Sequence, residues 1–163
     1  MRNRLLAALA VLATVAFASC GAPSEPDFVK KAAKFSLYEV EAGKIANEKG
    51  QSEAVKQFGR EMVEAHSKAN EELKNIVQAE NLKVELPVKP SKRQRKRIDA
   101  LNEATPENFD KTYAQQQVKA HRRAFELFDR YAEGGGTPAL KQFAANILPI
   151  VKQHLEQAKK LPQ

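Results

Sequence analysis

The sequence predicts an all-α protein built as a four-helix bundle, with a short extra helix in the connection between the second and third long helices. Three observations lead to this prediction. Apolar residues recur at steps of three and four along four long segments, which is the spacing of one face of an α-helix. Glycines and prolines fall between those segments. The composition, 42% apolar and 29% charged with 7 Gly in 163 residues, is typical of a folded helical domain.

Residues 1–19 have the features of a secretory signal peptide and are not expected to join the fold. Arg2 and Arg4 supply a positively charged start, and a short apolar run follows as far as Ser19. That run is too short to span a bilayer comfortably. Small residues precede Cys20, the single cysteine of the chain, in a pattern that resembles a bacterial lipobox. Lipidation of Cys20 is therefore predicted, although Phe17 stands where an aliphatic residue is usual.

Lipidation would attach the mature chain to a membrane through a short tether, residues 20–25, with the bundle domain at residues 26–161. Gly21 follows the cysteine, where an aspartate would favour retention in the inner membrane. The expected location is therefore the periplasmic face of the outer membrane. The alternative is a simple signal peptide with an incidental cysteine. Export also argues against a nucleic acid as the partner of this basic chain.

The first long helix is predicted over residues 26–49, with Gly50 past its end, and the second over residues 52–81. Each helix is interrupted by a glycine, Gly43 in the first and Gly59 in the second. Glycine inside a helix costs about 1 kcal/mol relative to alanine. We therefore expect a packing reason, such as a close approach of the two backbones.

An extended connection is predicted at residues 82–90, followed by a short helix that Ser91 caps and that ends near residue 104. Six basic residues lie around the start of this helix (Lys89, Lys92, Arg93, Arg95, Lys96 and Arg97). Two interpretations stay open for them. They form either a solvated basic face or a site of contact with anionic lipid of the envelope.

The third and fourth long helices each begin with a threonine followed by a proline, at residues 105–106 and 137–138. The third runs to about residue 133, ahead of three consecutive glycines. The fourth runs to about residue 158 and contains Pro149, which removes one backbone hydrogen bond. The connection at residues 82–105 is long enough to run the length of the bundle, which would make the second and third long helices parallel.

Polar residues lie on the inward stripe of every long helix at a similar height. They are Glu39 on the first helix and one histidine on each of the others (His66, His121 and His154). The chain has no further histidine. Helical rise places the four side chains within about one turn of one another. We therefore expect them to meet near the middle of the bundle, where any chemistry would occur.

At these positions the chain resembles the bacterial exported proteins that share the domain of unknown function numbered 4142. The resemblance runs from residue 28 to residue 158. It is carried by Glu39-Val40-Glu41 with Gly43-Lys44, by Met62-Val63 with His66, by Phe109-Asp110 with Tyr113, by His121 and by His154-Leu155. The resemblance implies a ferritin-like antiparallel four-helix bundle and an envelope location as an outer membrane protein. It implies no established reaction.

Three interpretations of the inward polar residues stay open. In the first, Glu39 and the three histidines bind one transition-metal ion, because imidazole and carboxylate suit zinc, copper, nickel or iron. A di-iron site is disfavoured, because such sites use Glu-x-x-His and a valine stands three positions before each histidine (Val63, Val118 and Val151). In the second, neutral imidazoles bond to neighbouring side chains and fix the helix register. The expected neighbours are Tyr38, Tyr113, Gln117 and Glu39. In the third, the group performs acid–base or redox chemistry, which no further motif supports.

The sequence therefore predicts a lipid-anchored periplasmic helical bundle with a non-catalytic binding or envelope-stress role. The alternative prediction is a protein that binds a single metal ion through the cluster at mid-bundle. The sequence does not identify a protein partner.

Overall fold

The computed structural model describes residues 21–162, so Cys20 and the predicted signal peptide lie outside the described residues. Across residues 21–162 the chain forms five α-helices and no strand. They are α1 (Glu25–Lys49), α2 (Glu53–Ala79), the short α3 (Lys92–Glu103), α4 (Pro106–Gly134) and α5 (Pro138–Ala158). The all-α prediction is confirmed, and each helix ends within two residues of its predicted bounds.

Local sequence signals set the helix starts, but not all of them act as predicted. Ser91 and Gln94 form a reciprocal capping box at the start of α3. Thr105 and Thr137 precede prolines as predicted, yet neither side chain caps its own helix. The Thr137 hydroxyl instead donates to Glu25, at the start of α1. The fixed φ angle of the proline that follows each threonine is therefore the stronger start signal at these two helices.

Contacts between the helices fix their directions. The tight turn at residues 50–52 folds α2 back along α1, and α4 and α5 pack in the same way. Phe28, near the start of α1, stacks on Tyr131, near the end of α4, with ring centroids 3.9 Å apart. Beyond the end of α1, Gln51 donates its backbone N–H to Asp110, near the start of α4, at 2.8 Å. Helices α1 and α4 are therefore antiparallel, and α2 runs parallel to α4.

Gly43 and Gly59 bring the backbones of α1 and α2 into direct contact. A Cβ atom placed on Gly43 would lie 2.6 Å from the carbonyl oxygen of Gly59. A Cβ atom on Gly59 would lie 2.7 Å from the carbonyl oxygen of Gly43. The expectation of a close approach is confirmed, and this crossing holds the segment of α2 that carries His66 tightly against α1.

The types of buried side chain differ between one end of the bundle and its middle. At the end where the chain enters α1, aromatic rings pack on one another, with Phe28 against Phe128, Tyr131 and Phe143. Near the middle, buried polar side chains interrupt the apolar packing (Glu39, His66, Gln117, His121 and His154). No helix among the described residues has both the length and the apolar content required to cross a bilayer.

Candidate metal centre

Helices α2, α4 and α5 bring three histidines together in the core. His66, His121 and His154 are 3%, 0% and 2% exposed. Their ring centroids are 5.5 to 5.8 Å apart. One ring nitrogen from each lies within 4.8 Å of the other two. Three residues separated by up to 88 positions in the chain thus form one cluster because three different helices present them at the same height.

Three buried ring nitrogens of this cluster make no hydrogen bond within the described chain. They are Nε2 of His66, Nε2 of His121 and Nδ1 of His154. Buried polar atoms in folded proteins are almost always hydrogen-bonded, and one left unpaired costs roughly 1–3 kcal/mol. Three such atoms in one cluster suggest that the chain alone does not supply their partner.

The backbone of α4 fixes the orientation and tautomer of His121. Its Nδ1 lies 3.1 Å from the carbonyl oxygen of Gln117, one turn earlier in the helix. Because a carbonyl oxygen can only accept, Nδ1 carries the proton and donates it. The lone pair is then on Nε2, the nitrogen without a partner. Metal-binding histidines are commonly held by this kind of hydrogen bond on the other ring nitrogen.

Glu61 of α2 approaches the opposite edge of the His154 ring. Its Oε1 lies 3.5 Å from Nε2 of His154, and its side chain is 35% exposed. The carboxylate favours a proton on Nε2 and so leaves the lone pair on Nδ1, again the nitrogen without a partner. Glu61 was not predicted, because no spacing along α2 relates it to His154. Only the packing of α5 against α2 brings it to His154.

Burial keeps the three imidazoles in their neutral form. Desolvation, followed by the proximity of the other two histidines, lowers the pKa of His66 well below 6.5. Burial lowers the pKa of His121 to about 3. The pKa of His154 is also lowered by burial, with Glu61 acting in the opposite direction. Since neutral imidazole is the metal-binding form, the cluster can ligate an ion at neutral pH without releasing protons.

A groove of about 400 Å³ between α2 and α5 leads from the surface to the cluster, and Glu61, His66 and His154 are among its lining residues. The other sides are closed by aromatic rings. Phe35 contacts His66 edge-on with ring centroids 4.8 Å apart, and Phe58 lies 6.2 Å from the His154 ring. The cluster is therefore walled by apolar side chains and approachable from one side.

Glu39, the fourth predicted member, lies outside the group of mutually close ligand atoms. It follows Phe35 by one turn of α1, and it neighbours Gln117 and Tyr113. Burial raises the pKa of Glu39 to about 8, with Gln117 and Arg97 opposing the shift. Within residues 21–162, neither carboxyl oxygen of Glu39 has a hydrogen-bond partner of normal geometry. Glu39 thus belongs to a buried polar layer beside the histidines.

The predicted neighbours of the histidines differ in their contacts. The Tyr38 hydroxyl donates to Oε1 of Gln116 at 2.9 Å. The Tyr113 hydroxyl and the Gln117 side-chain amide make no hydrogen bond in the described part of the chain. Gln117 contacts His121 through its backbone carbonyl. The predicted contact was through the side chain of Gln117.

The predicted basic run divides between different environments. Arg95 forms an ion pair with Glu41 of α1. Arg93 and Arg97 line a second cavity, which is separate from the histidine groove. The other members are exposed at the surface (Lys89, Lys92 and Lys96).

Comparison with known proteins gives one family. The family model Domain of unknown function (DUF4142) matches residues 11–161. Neither the curated proteins nor the solved structures include a significant match to the chain. The matched residues include all five helices and the histidine cluster, and the family description assigns no activity.

Proposed function

The chain belongs to the DUF4142 family, and on that premise we propose that its three buried histidines bind one transition-metal ion. One observation carries the proposal. Three buried ring nitrogens from α2, α4 and α5 lack hydrogen-bond partners in a cluster whose ligand atoms lie within 4.8 Å of one another. Neutral imidazoles with fixed tautomers are suited to zinc, copper, nickel or iron.

The size of the cluster fits a single ion after a small contraction. Nitrogens bound tetrahedrally to zinc lie about 3.4 Å apart, so a pair at the 4.8 Å limit would close by about 1.4 Å. A solvent molecule in the groove would complete the coordination. A bound ion of this class supplies a Lewis-acidic or redox centre, and the groove gives a small ligand access to it.

We place this site in a ferritin-like antiparallel four-helix bundle with α3 as the extra helix. The antiparallel packing of α1 with α2 and with α4 supports that architecture. The di-iron chemistry of many such bundles is not part of the proposal. The valines three positions before each histidine leave the carboxylates of a second iron missing.

Metal analysis tests the proposal directly. The protein would be purified without chelator and without a histidine tag, then loaded in turn with zinc, copper, nickel and iron. We expect one equivalent of one of these ions, lost in His66→Gln and in His154→Gln. Glu64→Gln, which changes a groove residue that pairs with Lys68, should retain the ion. Absence of stoichiometric binding for all four ions would refute the proposal.

For the cellular setting we propose that lipid on Cys20 holds the domain on the periplasmic face of the outer membrane, in a non-catalytic binding role. The signal-like residues 1–19 and the small residues before Cys20 support this proposal. Labelled palmitate should be incorporated by the native chain and lost in Cys20→Ser. Equal incorporation by both chains would refute the anchor and leave the metal site untouched.

A further inference from the structure

A second cavity, of about 450 Å³, lies between α1, α3 and α4. Its rim carries six basic side chains (Lys31, Lys34, Arg93, Arg97, Arg123 and Arg130) and no acidic one. Its floor is apolar and includes Phe35, Ala124 and Leu127. The cavity thus combines a strongly positive rim with a hydrophobic base.

The arginines of the rim form no close ion pair with the described chain. Arg93, Arg97 and Arg123 form no ion pair within 4.0 Å in residues 21–162, whereas Arg95 on the same helix pairs with Glu41. Lost hydration, followed by the charges of Arg93 and Arg97, lowers the pKa of Arg123, with Glu126 acting in the opposite direction. The fold therefore crowds like charges around the cavity, and a bound anion would relieve their repulsion.

We propose that this cavity binds an amphipathic anion. Its phosphate or carboxylate head would lie between Arg93, Arg97 and Arg123, and its apolar portion would lie on Phe35, Ala124 and Leu127. Guanidinium groups bind both kinds of head with paired hydrogen bonds. Small-molecule sites typically have this volume and join apolar surface to a few polar groups. Free phosphate would use the rim alone and leave the floor exposed to water.

This inference does not depend on the metal proposal. None of the arginines is a histidine-cluster residue, and the cavity opens between a different set of helices. Phe35 forms a shared wall, because it lines the cavity and its ring lies 4.8 Å from His66 and 5.3 Å from His121. Binding of the anion should therefore be measured on the same protein with and without added metal, and should occur in both.

Titration calorimetry with octyl phosphate below its micelle-forming concentration tests the proposal on the purified full-length protein. Octanol and inorganic phosphate, the two halves of the probe, should each bind at least tenfold more weakly. Arg97→Gln/Arg123→Gln should weaken binding of octyl phosphate at least tenfold. The matched variant Lys96→Gln/Arg122→Gln removes the same charge one position earlier on each helix, outside the cavity, and should bind as the wild type does.

The two double variants decide between a site and general surface charge. Equal weakening in both, or octanol binding as tightly as octyl phosphate, would overturn the proposal.

Vesicles of phosphatidylglycerol and of phosphatidylcholine identify the source of the anion. Sedimentation with phosphatidylglycerol that only Arg97→Gln/Arg123→Gln abolishes would indicate a lipid head group. No sedimentation, with octyl phosphate still bound, would indicate a soluble amphiphile. If both variants weaken sedimentation equally and octyl phosphate does not bind, the vesicles contact the charged surface in general. That result would overturn the proposed cavity site.

Discussion

Glu39 is the fully buried carboxyl group of the core, and neither of its oxygens has a hydrogen-bond partner of normal geometry among the described residues. Burial raises its pKa from 4.5 to about 8. The folded protein therefore retains a proton that the unfolded chain releases between these two values. The contribution of this group to stability is fully present below pH 4.5 and is lost as the pH rises through 8.

Glu39→Gln should remove that loss, because an amide stays neutral at all pH values. At pH 9 the free energy of unfolding of the variant should exceed that of the wild type by roughly 3–5 kcal/mol. At pH 4.5 the difference should be small. Urea denaturation over this range measures both. Glu48→Gln, exposed on the same helix, is the control and should follow the wild type. Parallel curves for Glu39→Gln and wild type would mean that Glu39 ionises in the fold.

Glu61 should act on metal affinity through His154 rather than on stability. Glu61→Gln keeps the size of the side chain but removes the charge that favours a proton on Nε2 of His154. The affinity for metal should fall about tenfold, measured by competition with a chromophoric chelator. Glu64→Gln, in the same groove, should have no effect. Equal affinity in all three proteins would show that Glu61 does not orient the ring.

At the scale of helices, the crossing of α1 and α2 depends on two glycines. Alanine at either position would normally gain about 1 kcal/mol of helix propensity. Here its Cβ would meet a backbone oxygen at 2.6 or 2.7 Å, so the helices must separate. We expect Gly43→Ala and Gly59→Ala to lower the free energy of unfolding by about 1–3 kcal/mol. Gly136→Ala, in open space, should cause no loss. Wild-type stability in both helix variants would contradict the close contact.

The helices could be predicted closely because their boundaries are marked by local chemistry. Pro106 and Pro138 start α4 and α5 through a fixed φ angle, and Ser91 caps α3 with its own side chain. The period of the apolar residues then gave the buried face of each helix, and with it the inward positions of the three histidines. These signals lie within a few residues of the feature they determine, so a single sequence contains them.

Features that arise between helices were harder to predict. Glu61 meets His154 across α2 and α5, and no spacing along either helix indicates it. The separation of Glu39 from the histidines depends on how α1 rotates against α4, which counting residues along each helix does not give. The basic run led to Arg93 and Arg97, but Arg123 joins them from α4, 26 positions after Arg97. All three of these features depend on how the helices pack against one another.

At the scale of the whole molecule, buried titratable groups should give the metal-free protein maximal stability near pH 6.5. Between pH 4.5 and 6.5 the unfolded chain binds protons on three histidines, and the folded chain retains one on Glu39. The protons on the histidines of the unfolded chain outnumber the one on Glu39, so stability rises with pH in this range. From pH 6.5 to 8 only the Glu39 proton still distinguishes the folded chain from the unfolded chain, so stability falls as the pH rises.

Urea unfolding in the presence of chelator, from pH 4.5 to 9, should therefore give a curve with a maximum. In Glu39→Gln the rise below pH 6.5 should persist and the fall above it should disappear. A wild-type curve that declines steadily from pH 4.5 would show that the histidines become charged within the fold.

The placement of the three histidines on three separate helices has a kinetic consequence. An ion held by His66, His121 and His154 would close loops of 55 and 33 residues along the chain. Because the unfolded chain does not hold the three histidines together, the ion binds the folded form and opposes every opening that separates two of these helices. Metal should therefore slow unfolding and protect amides of α2 and α5 from hydrogen exchange, even far from the ion. A chelator that removes the ion from the metal-loaded protein would therefore shorten the lifetime of the folded state.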